Sequence, residues 1–274
     1  MRLLFNHPWI LAIFVAAGLA EYFWRRARGR GYDLGAAAGS FGVALGQAVL
    51  RPLNFAATAV VLFAVQGFAL WQIPGATWHW DWRWWAAGFV AVELAYYGFH
   101  RASHQVRWMW ATHAVHHSAH QLVLPSAIRL GWPEFFSLGW LFFVPLVLAG
   151  FPPEMIGTLL ALSLIYQYPL HTEAIGRLGP LEWVLNTPSH HRAHHSCEAD
   201  YLDCNFGGVL IVFDRLFGTF RAEPGGRGLR YGLAKPMEST NPVHIALHEW
   251  GALLREMRAR PGLLPKLQVA LGRP

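Results

Sequence analysis

Three short histidine clusters are the feature of this sequence that could carry chemistry. They are His100 with His104, His113 with His116 and His117, and His191 with His194 and His195. Residues three and four positions apart lie on one face of a helix, so each cluster can aim its imidazoles at a common point. Neutral imidazole is a good ligand for divalent iron, zinc and copper. Because eight imidazoles exceed what one ion needs, the pattern predicts two metal ions with coordination positions left for oxygen.

The other histidines divide into possible additions to this site and residues with ordinary roles. His171 and His190 lie close to the third cluster in the sequence and are candidates to join the site. A single histidine at a helix end is more often a structural residue, and pairs spaced by four are common on amphipathic helices. On that basis we expect structural or surface positions for His7, His79, His120, His244 and His248.

The composition indicates a membrane protein. The chain of 274 residues is 54% hydrophobic and only 14% charged, whereas soluble domains carry about 25% charged residues. The formal charge is +6, but the basic residues flank apolar segments, as in cytoplasmic membrane loops, and form no nucleic-acid stripe. We therefore expect no nucleic-acid partner. Cys197 and Cys204 have neither zinc-finger spacing nor enough partners for a disulfide framework, so we expect two reduced thiols.

Apolar segments must position the histidines. Segments of suitable length and hydropathy occur at 3–23, 53–73, 84–99, 135–151 and 155–170. The Gly- and Ala-rich segment 33–50 is only moderately apolar and is not counted as a span. These segments predict an all-α integral membrane protein with about four transmembrane helices in hairpins, and a cytoplasmic helical cap that holds the histidine-rich di-metal site.

The distribution of arginine predicts the orientation and the organisation of the chain. Four arginines follow the first apolar segment directly, which places that end, all three histidine clusters and everything after His171 on the cytoplasmic side. The arginine-, alanine- and glycine-rich composition indicates a bacterial inner membrane. We predict one domain, 1–274, with anchor helices at 1–83, a catalytic region at 84–220 and a C-terminal amphipathic cap at 221–274, which includes an amphipathic helix at 241–260.

The order of the clusters resembles a known protein group. His-x-x-x-His followed by two His-x-x-His-His motifs, between apolar hairpins, is similar to the fatty acid hydroxylase and sterol desaturase superfamily. The stretch 175–220 is similar to the alkylglycerol monooxygenase branch at nearly every position, and YYGFHRASH, WATHAVHHS and SAIR upstream match the same group. The resemblance covers roughly residues 85–240, and its three-cluster pattern is specific.

The resemblance implies a di-iron, oxygen-dependent hydroxylase or desaturase that acts on a lipid. It implies that the eight cluster histidines are metal ligands and that His171 is a further ligand. Asp203 and Asn205 match the motif that follows the last cluster, and with His190 and Gln105 they are expected to support the ligands. Gln105 stands where the ether-lipid branch usually has glutamate, and Val123 where it usually has asparagine. The ether lipid and the tetrahydropterin reductant of that branch are therefore not carried over.

The expected cofactors are two iron ions and O2, with zinc able to replace iron in a purified sample. The expected partners are the lipid substrate, the bilayer and an external electron donor, either a redox protein or a reduced small molecule, because the chain has no haem, flavin or ferredoxin motif.

Two alternative functions stay open. A zinc-dependent membrane hydrolase would need a carboxylate base near the ligands, and a metal or proton transporter would need polar residues within its spans, where only Glu93 stands out. Lipid identity, regiochemistry and the choice between hydroxylation and desaturation also stay open.

Overall fold

The computed structural model describes residues 8–74, 78–225 and 228–274, and the structured parts of these ranges are helical. The α-helices are α1 (Pro8–Ala27), α2 (Leu34–Gln66), α3 (Trp82–Gln105), α4 (Arg107–His117), α5 (Val144–Leu148), α6 (Pro153–Gln167), α7 (Pro188–His194), α8 (Val212–Leu216), α9 (Pro242–Ala259) and α10 (Leu263–Leu271). Short 3-10 helices span Leu124–Ile128, Phe135–Ser137, Gly139–Phe143, Tyr168–Leu170, Gly179–Trp183 and Ala199–Tyr201. Within the described ranges, β pairing is limited to isolated bridges of Leu185 with Leu210 and Ser196 with Tyr231. The predicted all-α class is confirmed.

Helix α2 is the one described helix that is long and apolar enough to cross a membrane. Its 33 residues correspond to about 50 Å, its best window has a mean hydropathy of 1.8, and 11% of that window is buried. The helix begins after Asp33, whose carboxylate accepts a hydrogen bond from the Ala36 amide at 2.8 Å. It continues through Pro52 and ends at Gln66.

The sequence left open whether the segment 33–50 spans the membrane, and the structure makes it the first half of α2. The span predicted at 53–73 is the second half of the same helix as far as Gln66, and its remainder, 67–73, is not helical. The small residues of the first half serve close packing: a Cβ atom on Gly46 would lie 2.2 Å from the Trp132 ring. Such contacts keep the segment helical although its hydropathy is moderate.

The other predicted spans have mixed outcomes. Helix α1 matches the segment 3–23 from residue 8 onward, while 3–7 and His7 lie outside the described residues. Helices α3 and α6 contain most of 84–99 and 155–170. The segment 135–151 is wrong as one continuous span, because it consists of two 3-10 helices and the five-residue α5. Leu138, with a left-handed φ of 65°, interrupts it. The count of transmembrane helices stays a prediction.

Two layers of packing position the histidine-bearing helices. In the first, Val92 of α3 packs with Phe143, Val147 and Met155, which joins α3 to the 135–151 segment and to α6. In the second, α9 covers α4 with a small apolar cluster: Ala111, Trp250, Leu253 and partly buried Trp108. Helix α9 is the amphipathic helix predicted at 241–260. The helix that carries the second histidine cluster is therefore held between the apolar helices and the C-terminal segment.

Arg129 is a buried cation that joins α2 to the end of α4. Its guanidinium donates hydrogen bonds to the Ala36 carbonyl at 2.9 Å, to Ser40 Oγ at 3.1 Å and to Ser118 Oγ at 3.0 Å. We expect Arg129→Met to lower the free energy of unfolding by about 1–3 kcal/mol, because buried acceptors lose their donor. The measurement is the thermal unfolding midpoint in detergent, with Arg258→Met at an exposed position as the control. Equal midpoints for the two variants would contradict this role.

Candidate metal centre

The structure gathers the nine histidines predicted as ligands into two groups of imidazole nitrogens. Within each group, the ligand atoms lie within 4.8 Å of one another. The first group consists of His100, His104, His113, His117 and His194, and the second consists of His116, His171, His191 and His195. Each group has enough nitrogen atoms, close enough together, to hold one metal ion.

Each His-x-x-His-His motif contributes to both groups. His113 and His117 of α4 face the first group, while His116 between them faces the second. At the third cluster, the first and last histidines of the motif face the second group, while His194 faces the first. On a helix, the side chains three and four positions after a given residue point in directions about 100° apart. The last two histidines of one motif can therefore reach two neighbouring ions. Helices α4 and α7 therefore each contribute ligands to both groups.

The spacing of the nitrogen atoms fits shared ions. Neighbouring Nε2 atoms are separated by 3.0 Å (His100–His113), 3.2 Å (His113–His117), 3.0 Å (His116–His171), 2.9 Å (His171–His191) and 3.0 Å (His191–His195). Ligands about 2.1 Å from a common ion, at octahedral to tetrahedral angles, are separated by about 3.0–3.4 Å. The observed separations are close to this range in both groups.

Backbone carbonyls set the tautomer of three of these imidazoles. Nδ1 of His100 donates to the Phe206 carbonyl at 2.8 Å, Nδ1 of His171 to Gln167 at 3.0 Å, and Nδ1 of His194 to Cys204 at 2.7 Å. A carbonyl oxygen can only accept, so each Nδ1 carries the proton and each Nε2 keeps a lone pair. These lone pairs are directed into the groups, as a metal ligand requires.

Two buried nitrogen atoms provide the test of whether an ion fits. Nε2 of His104 and Nε2 of His194 are buried without a hydrogen-bond partner among the described residues. A buried polar atom without a partner costs about 1–3 kcal/mol. Both atoms belong to the first group, where a metal ion would supply the missing partner. The residues therefore fit a metal ion.

Burial keeps these imidazoles neutral. Removal from water, followed by repulsion from neighbouring imidazoles, holds the pKa values of His113, His116 and His117 well below the usual range. Burial also lowers the pKa of His171 and of His194 to about 4. At neutral pH the lone pairs are thus available to a metal without the loss of a proton.

We expect the metal-free protein to lose stability as the pH falls from about 6.5, the pKa of an unfolded histidine, toward 5. Between that value and the folded pKa of about 4 for His171 and His194, the unfolded chain binds more protons, so stability decreases as the pH decreases. The measurement is the thermal unfolding midpoint at pH 7.5, 6.5 and 5.5 with a chelator present. The same series after anaerobic iron loading should lie at higher midpoints and fall at least as steeply, because bound metal also keeps the folded histidines unprotonated. A constant midpoint in the metal-free series would contradict the prediction.

A fully buried carboxylate, which the sequence analysis did not assign, organises the loop 204–210. Asp214 accepts hydrogen bonds from the Phe206 and Gly207 amides, both at 2.7 Å, and from the Thr219 hydroxyl at 2.6 Å. The carbonyl of the same Phe206 receives Nδ1 of His100. Asp214 therefore holds the backbone unit that orients a histidine of the first group.

Glu93 of α3 fixes the far end of the same loop. Its carboxylate accepts from the amides of Val209 at 2.6 Å and Leu210 at 3.0 Å, and from the Ser163 hydroxyl of α6 at 2.7 Å. In the sequence, Glu93 was notable only as an acid within an apolar segment. Its position in the fold explains why the acid is tolerated there: the buried carboxylate accepts three hydrogen bonds, from two backbone amides and a hydroxyl.

Of the predicted supporting residues, Asn205 lies in this loop and Asp203 directly precedes it. Asn205, with a left-handed φ of 54°, donates from its amide to the His190 carbonyl at 3.0 Å and to the Arg221 carbonyl at 2.7 Å. It therefore closes the loop and does not touch the imidazole rings through these bonds. Asp203, with φ 58°, has Oδ1 3.6 Å from Nδ1 of His104, which is too long for a hydrogen bond.

The remaining candidates lie outside both groups. His190 is buried with Nε2 3.9 Å from a Glu182 carboxylate oxygen, and Gln105 is the last residue of α3. His120 pairs with Asp33 at 2.9 Å, His79 stacks on Trp78, and His244 and His248 lie on α9. Both cysteines are free.

The histidine-containing region is similar in sequence to known proteins. The sequence profile of the fatty acid hydroxylase family matches residues 85–219. Human alkylglycerol monooxygenase is 38% identical over 208 residues, which cover 76% of this chain and 45% of that protein. An ornithine lipid hydroxylase of Rhizobium tropici is 31% identical over 137 residues (50% and 41%), and human cholesterol 25-hydroxylase is 28% identical over 142 residues (48% and 49%). The chain thus spans less than half the length of these relatives, and no solved structure matches it significantly.

Proposed function

Residues 85–219 belong to the fatty acid hydroxylase family, and from that premise we propose that the chain is a membrane-bound, non-haem di-iron oxygenase that hydroxylates a lipid. The observation that carries the proposal is the division of nine histidines into two groups that can each hold one ion. Relatives named for lipid hydroxylation support the reaction class. A hydroxylase and a desaturase share the same first hydrogen abstraction, and we favour hydroxylation because these relatives are hydroxylases and monooxygenases.

The two groups would hold the irons through neutral nitrogen atoms only. In the described part of the chain, neither group includes a carboxylate, which differs from the glutamate-rich di-iron sites of soluble bundles. When bound, the iron pair would supply the reduction of O2 by two external electrons and two protons and the oxidation of an unactivated C–H bond, so that one oxygen atom enters the lipid and the other leaves as water. Zinc, which also binds imidazole well, could occupy the same groups in a purified sample.

The protein's own residues fix and shield this site. The carbonyls of Phe206, Gln167 and Cys204 hold three imidazoles in one tautomer. The rings of Phe206 and Trp110 both pack 5.2 Å from the His104 ring. An apolar wall beside the ligands excludes water that would compete with an apolar substrate.

The site lies where a bilayer lipid could reach it. His100 and His104 occupy the last turns of α3, so the first group lies at one end of an apolar helix. The arginines after α1 favour the cytoplasmic side for this end, in a bacterial inner membrane. The lipid would enter from the bilayer, and electrons would come from a soluble redox protein or a reduced small molecule on the same side.

The test is the metal content and oxygen chemistry of protein purified anaerobically with iron supplied. Elemental analysis and Mössbauer spectroscopy should find near two coupled irons per chain. Reduction in the presence of bilayer lipids should consume O2 and yield a lipid that has gained one oxygen atom. A lipid that has lost two hydrogens would indicate a desaturase instead. One zinc ion without oxygen uptake would contradict the proposal and favour a hydrolase, and the absence of any bound metal would contradict both.

A further inference from the structure

Helix α10 exposes one complete face of leucine side chains. The exposed fractions are 72% for Leu263, 68% for Leu264, 43% for Leu267 and 64% for Leu271. At about 100° per residue these four side chains lie within an arc of about 100°. The opposite face is packed through Val269, which contacts the cluster that joins α4 to α9, and Ala270, at the edge of the leucine face beside Leu263, is buried. The leucines therefore form a defined surface of a docked helix.

The end of α10 meets the end of α3. The Arg107 amide, at the start of α4, donates a hydrogen bond to the Gly272 carbonyl at 2.9 Å. Helix α3 ends at Gln105, immediately before this contact. In the proposed topology α3 leaves the membrane at this point, so α10 lies at the level of the membrane surface and close to His104.

The charge of the same segment suits an anionic surface. Residues 251–274 contain one acidic residue, Glu256, and five basic residues: Arg255, Arg258, Arg260, Lys266 and Arg273. Glu256 is already paired with Arg107 and Arg260. Amphipathic helices with an apolar face and basic residues beside it bind the interface of bilayers that contain anionic lipids. A second copy of the chain would bring like charges together on this face, which disfavours a symmetric dimer.

We propose that α10 is an interfacial helix that lies in the headgroup region of the cytoplasmic leaflet. Its leucines enter the upper acyl region, and Lys266, together with the neighbouring Arg258 and Arg273, contacts the phosphate groups of anionic phospholipids. This inference rests on the proposed membrane topology and not on the oxygenase chemistry. It makes α10 a contact between the bilayer and the protein next to the metal site.

The test is the depth of a nitroxide spin label at Leu264→Cys, in the full-length protein with Cys197→Ser, in nanodiscs of phosphatidylcholine and phosphatidylglycerol. Accessibility to O2 and to a water-soluble nickel chelate is measured by power saturation. Labels at Asp200, on the exposed Ala199–Tyr201 helix, and at Leu53, 70% exposed on α2, provide aqueous and bilayer references. We expect an oxygen-to-nickel ratio at Leu264 several-fold above that at Asp200 and nearer to that at Leu53.

Other outcomes distinguish failure of the α10 proposal from failure of the membrane topology. An aqueous ratio at Leu264 alone would overturn this proposal, whereas aqueous ratios at both Leu264 and Leu53 would overturn the membrane topology with it. Exclusion of both relaxants together with spin–spin broadening would indicate a second copy of the chain and also overturn it. None of these readings depends on metal or turnover, so the oxygenase proposal can fail while this one stands.

A separate experiment tests whether the insertion of α10 depends on anionic phospholipid. Omission of phosphatidylglycerol, or the double substitution Arg258→Gln and Arg273→Gln, should lower the oxygen-to-nickel ratio at Leu264 several-fold. Both arginines are exposed, Arg258 on α9 and Arg273 just after the end of α10, so the substitutions leave the packed faces of both helices intact. An unchanged ratio in both experiments would overturn the assignment of anionic phospholipid as the ligand.

Discussion

Replacement of His116 by alanine is expected to remove iron from one site and to abolish turnover, while the protein still folds and inserts. The second group would keep three of its four imidazoles, and the first group would keep all five. Loss of a partner that only supports a metal ligand typically costs 10–100-fold in affinity or activity, so loss of the ligand itself should reduce turnover by at least about 100-fold. Iron content should fall from near two per chain toward one.

The measurements are iron per chain by elemental analysis and oxygen uptake under reducing conditions. His244→Ala is the matched control, because His244 is exposed on α9 and outside both groups. That variant should retain two irons and full turnover. Normal iron content and activity in His116→Ala would remove the basis for the ligand assignment, whereas equal losses in both variants would indicate a general effect of histidine substitution on the protein.

The convergence of the histidine clusters could be predicted from the sequence, but their division into two groups could not. Helical spacing is a local property, so it identified the clusters that converge. Which imidazole of a His-x-x-His-His motif turns to which group depends on how α3, α4 and α7 pack, as the assignment of the adjacent His116 and His117 to different groups shows. That packing involves residues far apart in the sequence, including the Phe206 carbonyl that receives His100.

Hydropathy was a poorer guide to the apolar segments. It measures the apolar character of a window and not the contacts that stabilise its backbone. The first half of α2 looked too polar and small to be a span, yet its glycines allow neighbours such as Trp132 to approach closely. The segment 135–151 looked continuous, yet Leu138 adopts a left-handed conformation. A Cβ atom on the next residue, Gly139, would lie 2.5 Å from the Phe99 ring, so the break coincides with close packing against α3.

Asp214 illustrates why supporting residues are harder to find than ligands. An acid in an apolar stretch of sequence can face water or the interior, and its spacing carries no metal signal. Only the fold shows that its carboxylate is fully buried and faces the amides of Phe206 and Gly207. The histidines can be recognised because their spacing repeats along the sequence. Asp214 is a single residue whose effect on the site passes through hydrogen bonds to backbone amides.

Asp214→Asn is therefore expected to weaken iron binding by about 10–100-fold although every metal ligand is retained. The two carboxylate oxygens accept separately from the Phe206 and Gly207 amides. An asparagine side chain has only one oxygen acceptor, and its NH2 group would face an N–H donor. One amide must then lose its partner, the loop must move, and the Phe206 carbonyl can no longer hold Nδ1 of His100 at 2.8 Å.

If Asp214 only stabilised the loop, its substitution would not change the iron affinity of the folded protein. Two measurements therefore distinguish this role from the positioning of His100. Chelator competition gives the iron affinity of the folded protein, and Mössbauer spectra report the symmetry of the iron environment. Asp200→Asn, at an exposed position of the neighbouring 3-10 helix, should leave both unchanged. If Asp214→Asn lowered the unfolding midpoint while iron affinity and spectra stayed as in the unsubstituted protein, Asp214 would stabilise the loop without positioning His100. A weaker affinity with altered spectra at unchanged ligand number would instead establish that a carboxylate which touches no metal sets the geometry of the first group.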